Sequence, residues 1–187
     1  FKDWFGDWEN DAKNASKVVD ENGEPLVVYH GTSNRFDTFN AAYNKDFGFH
    51  FSPSKYVAKS MSETYNLNNG DKIKGEVLSV FLNIRNMAEV PDLERWNNTQ
   101  LKKTSERWEI PFNEMGEFKD NLDFISNFEN PNPQSNIDGY RYMNEFEKPN
   151  LTKTKENKWL FNSYIATSPN QIKSATSNIG TYSASSN

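Results

Sequence analysis

The chain has 187 residues, with 21 Lys plus Arg against 26 Asp plus Glu, for a formal net charge of −5. That length fits one domain, able to bury roughly two-thirds of its unfolded surface without metal or disulfide staples. There is no cysteine and there are only two histidines, His30 and His50, which excludes disulfides and thiolate chemistry and argues against a multi-histidine metal site. Apolar runs are too short for a membrane span or a secretory signal. The acidic balance argues against wide, non-specific nucleic-acid binding. Hydrophobic residues are only 35%, but 14% of the chain is aromatic, which is the composition of a ring-rich globular core and not of a disordered chain. The chain starts at Phe1, not Met, so excision from a longer polypeptide is expected.

In chain order, Phe1-Lys2-Asp3-Trp4-Phe5-Gly6-Asp7-Trp8 can place Trp4, Phe5 and Trp8 on one helical face, which predicts an N-terminal helix packed on the core. Asp20-Glu21-Asn22-Gly23-Glu24-Pro25 is a turn between Val18-Val19 and Leu26-Val27-Val28-Tyr29, and predicts a hairpin. His30-Gly31-Thr32 closes its second strand. A polar loop holding Phe36 and Phe39 follows, then a short aromatic strand, Phe47-Gly48-Phe49-His50-Phe51. Ser52 as N-cap and Pro53 at the first helical position predict a helix over 53–65. After a loop at 66–70, residues 75–84 carry the strongest strand signal in the chain.

Residues 91–128 have helical character, with Leu93, Trp96, Leu101 and Trp108 before Pro111 and a second helix expected over 113–128. Asn130-Pro131-Asn132-Pro133 is a loop, and 138–143 and 161–167 read as two further strands. The Ser-, Thr- and Asn-rich tail is expected to be loosely ordered. Short strands at both ends with helices between them predict an α+β fold. The glycine patterns of a dinucleotide-binding Rossmann turn and of a P-loop are absent.

Taken alone, Tyr29-His30-Gly31-Thr32 carries little information, because a lone histidine at a strand end usually bonds its neighbours. His50, between Phe49 and Phe51, likewise reads as a half-buried strand residue. Several blocks in order are more specific. They are Trp4-Phe5-Gly6-Asp7-Trp8, Ala15-Ser16-Lys17-Val18-Val19-Asp20, Leu26-Val27-Val28-Tyr29-His30-Gly31-Thr32, Leu82-Asn83-Ile84-Arg85-Asn86 and Gln171-Ile172-Lys173-Ser174-Ala175-Thr176. With them the chain resembles ADP-ribosyltransferases of the diphtheria-toxin and poly(ADP-ribose) polymerase type. It resembles more closely the domains of that fold carried by phage and mobile-element polyvalent proteins. The resemblance runs along nearly the whole chain and leaves only about 92–128 without a specific match.

The resemblance implies a split antiparallel β-sheet with peripheral helices in one domain, 1–187, with a helical insertion at about 92–128 and a loose tail at 175–187. It implies NAD as co-substrate, with no metal and no membrane. His30, between Tyr29 and Thr32 in the first motif, matches the histidine that holds a ribose hydroxyl. Gly31 matches the glycine whose backbone pairs with the nicotinamide carboxamide, where a Cβ is expected to strike the ring. Gly48-Phe49-His50-Phe51-Ser52 matches the second motif, with His50 as the ring flanking nicotinamide.

Two positions depart from the family pattern. Met61 stands where relatives carry a second stacking tyrosine, with Tyr56 and Tyr65 nearby; a thioether can still pack on a ring, by about 0.3–1.5 kcal/mol. Ser163 stands where polymerase-like relatives carry the glutamate that promotes departure of nicotinamide. The acid is instead expected after the Asp138-Gly139 strand, at Glu147, with Glu145 on the same face if the strand stays extended. By composition alone the two acids read as a solvated strand end. Asn162 and Gln171 read as structural amides.

The leading expectation is an NAD-dependent mono-ADP-ribosyltransferase acting on a protein or nucleic-acid acceptor of a host. Its expected source is a phage or mobile element, and its expected place the bacterial cytoplasm after delivery, or the virion. NAD glycohydrolysis is a second enzyme reading, and a toxin role is compatible with either. From another class comes a catalytically degenerate binding or structural module, favoured by Met61 and Ser163. An RNA 2′-phosphotransferase shares the fold, but needs clustered arginines that the sequence does not display. Acceptor choice is expected to reside in 33–46 and in the helical region.

Overall fold

The structure is a computed structural model, and it describes residues 1–34, 36, 38–40, 47–65, 70, 72–128, 130, 132–147, 149–155 and 157–176. Most of the expected loop at 66–70, much of the loop at 33–46 and nearly all of the expected tail lie outside the described residues. Helix α1 (Lys2–Phe5) is a single turn that buries Trp4 and Phe5. The chain then crosses to β1 (Val28–Thr32), β2 (Phe49–Phe51), α2 (Lys55–Ser62), β3 (Glu63–Tyr65), β4 (Lys72–Lys74) and β5 (Glu76–Leu82). β6 (Met87–Glu89), α3 (Asn98–Arg107), α4 (Phe118–Asn127), β7 (Gly139–Met143), β8 (Asn162–Ala166) and β9 (Ile172–Ser174) complete it.

Two sheets carry the fold, in the orders β1-β5-β9 and β2-β8-β7-β6, with β3-β4 a separate hairpin. Every pairing is antiparallel except β6 with β7, which is parallel, so the second sheet is mixed. The class is α+β with a split sheet. Val28, Val80 and Leu82 of the first sheet meet Phe51, Tyr164 and Ala166 of the second in one apolar core. The opposite face of the second sheet, with Tyr140, Tyr142 and Ile165, packs on Leu101 of α3 and Leu122 and Ile125 of α4 in another. The helices at 98–127 therefore cover the second sheet directly.

The expected hairpin before β1 is reduced to one isolated bridge, Val19 to Pro25. α2 begins two residues later than expected and ends sooner. Its N-cap is Ser54, whose hydroxyl faces Val57 N–H at 3.5 Å. Ser52 cannot cap it, because its backbone is held by β1 and its hydroxyl accepts the Ser54 N–H at 3.1 Å. Leu93 and Trp96 precede α3 and do not belong to it; Glu94 has φ 60°, which breaks the expected helix there.

Gln171 ties the end of the chain to the sheet. Its Oε1 accepts from the N–H groups of Thr167 and Ser168, both at 2.9 Å, and its Nε2 donates to Asp138 O at 2.6 Å.

Candidate functional site

The site begins where the two sheets part. Tyr29 of β1 and Ser52, just past β2, exchange both backbone hydrogen bonds, at 2.8 and 3.0 Å. Tyr29 therefore turns its backbone polar groups away from β5, and two residues later Gly31 does the same. If the ladder continued, His50 would stand opposite Gly31. It does not continue. His30 Nδ1 instead donates to His50 O at 2.8 Å, and the Gly31 N–H and C=O face the opening between the strands.

That hydrogen bond also fixes chemistry. A carbonyl can only accept, so a neutral His30 carries its proton on Nδ1 and presents Nε2 as an acceptor. Burial lowers the His30 pKa below its ordinary value, against the favourable bond to His50, and so keeps it neutral. His50 is pushed down to about 4, by burial and then by the nearby His30. Its ring lies 5.2 Å from Trp96, edge-on, with the Tyr142 hydroxyl 3.2 Å from Nδ1.

The opening is a cleft of about 1120 Å³, of the size that holds a small-molecule ligand. Tyr29, His30, Gly31, Thr32, Gly48 and Phe49 line it, as do His50, Phe51, Ser52 and Met61. Met61 is half-exposed near the end of α2. The Thr32 hydroxyl is occupied in a local turn, donating to Asn34 O at 3.0 Å. Gly48 has φ 68°, and a Cβ there would come within 2.2 Å of the Ile165 side chain.

Gly31 needs a correction. A Cβ on it would lie 1.8 Å from Ala58 O and 2.9 Å from Ser62 N, so its missing side chain faces α2 and not the cleft. The residue is glycine because α2 packs backbone to backbone on β1.

Past the end of β7 the chain brings Glu147 to the cleft. Ser163 is fully buried, and its hydroxyl accepts from Asn144 Nδ2 at 3.2 Å and shares a hydrogen bond with Tyr142. Asn144 Oδ1 accepts the Glu147 N–H at 2.7 Å. Ser163, Asn144 and Glu147 thus form one connected group along the cleft. Burial, and then the charge of Asp92, raise the Glu147 pKa above the usual carboxylate value.

Glu145 is not part of this group. β7 ends at Met143, and residues 145–147 bend, so strand alternation no longer relates the two acids. The Glu145 N–H is bonded to Asp92 Oδ2 at 2.7 Å, and the residue lines a separate depression. Glu94, Trp96, Tyr142 and Asn144 also line the cleft, and no sequence motif marked them.

A family model for the ADP-ribosyltransferase in polyvalent proteins matches residues 20–182. The chain belongs to that family. No curated protein matches the chain. ADP-ribosyltransferases in general draw ADP-ribose from NAD, and the match makes ADP-ribosyl transfer the activity of the family to which this cleft belongs. Among the described residues no group of three His, Asp or Glu is placed to hold a metal ion, and no helix is long and apolar enough to cross a membrane.

Proposed function

We propose that the chain, working as one domain, transfers ADP-ribose from NAD to a macromolecular acceptor, and that the cleft between β1 and β2 binds the dinucleotide. The single observation that carries this reading is the convergence of Gly31's free backbone edge, the His30 acceptor nitrogen and the Glu147 carboxylate on one cleft.

The nicotinamide carboxamide offers an NH2 donor group and a C=O acceptor, which match the C=O and N–H of Gly31. His50 and Met61 flank the ring. His30 Nε2 accepts from a ribose hydroxyl. The reacting bond joins ribose C1′ to the nicotinamide nitrogen. Its electron pair leaves with nicotinamide, which becomes neutral, and positive charge grows on the ribose. A carboxylate beside that charge stabilises the transition state more than bound NAD, and only such a difference speeds the step. Glu147 supplies it; Ser163 has no charge to offer and holds Asn144. The acceptor nucleophile then bonds to C1′ and releases its proton to solvent.

The polyvalent-protein family supports a phage or mobile-element origin, action on a host macromolecule, and delivery to a bacterial cytoplasm or carriage in the virion. The buried, neutral Ser163 and half-exposed Met61 favour a second reading, a module that binds NAD without using it. Two measurements separate them. Calorimetric titration with NAD at millimolar concentration gives heat under both readings, and nicotinamide release appears only under the first. No binding by calorimetry or by NMR shifts would sink both; release without transfer to any acceptor would leave a glycohydrolase.

A further inference from the structure

One buried amide stands between Glu147 and the second sheet. Asn144 follows β7 directly and is 4% exposed. Its backbone N–H donates to Phe161 O at 2.7 Å, its Nδ2 donates to Ser163 Oγ at 3.2 Å, and its Oδ1 accepts the Glu147 N–H at 2.7 Å. The first two bonds reach β8 and the residue before it. The third reaches the acid.

The anchor is fixed by the sheet and the acid is not. Ser163 is buried and lies opposite Tyr142 in the register of β7 with β8. The Tyr142 hydroxyl lies 3.2 Å from His50 Nδ1, and His30 holds the His50 carbonyl. Glu147, by contrast, lies in the bend beyond the last ladder pair, Met143 with Asn162. Asp92 ties one side of that bend through the Glu145 N–H at 2.7 Å; Asn144 ties the side that lines the cleft. The amide also acts on the carboxyl itself. Burial and the Asp92 charge raise the Glu147 pKa, and Asn144 opposes them. A side chain of this size that accepts a backbone N–H, donates to a hydroxyl and stays neutral has to be an amide. An aspartate would set a second negative charge beside Glu147.

We propose that Asn144, anchored on Ser163, is a positioning residue that places the Glu147 carboxyl beside the reacting ribose. The proposal rests on the cleft being the site of transfer. It gives Ser163 a role that needs no charge, as the fixed point from which the acid is held. A preorganised charge stabilises a transition state only if it is already in place, and a displacement of about 1 Å is felt as lost rate.

The test uses the full chain, with nicotinamide release measured against NAD concentration and against pH. In Asn144→Ala, kcat is expected to fall on the order of tenfold, the scale of one lost hydrogen bond, with KM for NAD changed by less than about twofold. Its acid limb should move to higher pH, because Asp92 and Glu94 still face the carboxyl and the amide does not. Exchange of the Glu147 amide hydrogen should also become faster, a readout independent of activity. Ser163→Ala removes one oxygen and should lower kcat about threefold with the same split, so it decides the matter if Asn144→Ala does not fold. The double variant should be no slower than Asn144→Ala, since both act through one tie. A raised KM with unchanged kcat, additive losses in the double variant, or an unmoved acid limb and amide exchange would overturn the proposal. A wild type that binds NAD and releases no nicotinamide overturns the transfer reading and this proposal with it. Unchanged kcat in a folded Asn144→Ala, beside an active wild type, overturns the proposal alone.

Discussion

Gly31→Ala tests why this position is glycine. The added methyl group would sit 1.8 Å from Ala58 O, 2.8 Å from Ala58 C and 2.9 Å from Ser62 N. All three are backbone atoms of α2, so no side-chain rotation relieves the overlap. A real contact needs more than about 3 Å, so α2 must retreat from β1 by roughly an ångström along its whole length. Overpacking a well-filled core costs about 1–3 kcal/mol, and a clash with backbone belongs at or above the top of that range. Because α2 carries Val57, Ala58 and Met61 into the cleft, NAD binding falls with it. The assay is urea denaturation of the ligand-free protein, followed by NAD titration at a temperature where the variant is folded. A loss near 3 kcal/mol without ligand confirms that the helix, not the nicotinamide ring, excludes a side chain. Unchanged stability with lost NAD binding would refute the reasoning and return the constraint to the ligand.

Other substitutions read other parts of the cleft. His50, held near 4 when folded but titrating near 6.5 when unfolded, disfavours the folded state as pH falls from about 6.5 to 4, because the unfolded chain takes the proton first. The loss is about 2–3 kcal/mol after allowance for partial exposure, and urea midpoints against pH should show His50→Gln abolishing it. Met61→Tyr should hold or strengthen NAD affinity by calorimetry; a large loss in an equally stable protein would mean that α2 does not present this position to the ring. Ser163→Glu would place a charge among buried Tyr142, Asn144 and Ile165, and should destabilise the protein by several kcal/mol with no gain in NAD hydrolysis. A stable, more active Ser163→Glu variant would show that the serine position can still bear the acid.

Much of this fold is legible in the residues, and the rest has physical reasons for being hidden. β1, β5, β7 and β8 have five residues or more, enough β-branched and aromatic positions between turn signals to show as strands. β3, β4, β6 and β9 have three residues each, too few for any period to appear. Ser52-Pro53 and Ser54 are both credible starts for α2, and only the pairing of Ser52 with Tyr29 decides between them. Trp96 looked like an apolar position of a helix; the turn at Glu94 turns it into part of the cleft wall. The motifs around His30 and His50 are legible because their order along the chain carries the resemblance. Asn144 and Tyr142 belong to no motif, and their contacts to Ser163 and His50 exist only once β7 and β8 pair. Glu145 and Glu147 differ by a bend after Met143, which alternation along a strand cannot foresee.

If Glu147 carries the charge that drives nicotinamide from NAD, Glu147→Gln is the decisive substitution. The substitution keeps the shape and the N–H bond to Asn144 while removing the carboxylate. Nicotinamide release should fall by about 10²–10³-fold, the scale of one lost electrostatic group, with NAD affinity changed far less. The acid limb of the wild-type rate should lie above the ordinary carboxylate range, since the raised pKa means that activity fails as pH falls through that higher value; the variant should lack the limb. The same raised pKa makes the ionised carboxyl unfavourable to folding at neutral pH, so the variant should also be slightly more stable at pH 7. Full release by Glu147→Gln, with the acid limb unmoved, would contradict the assignment.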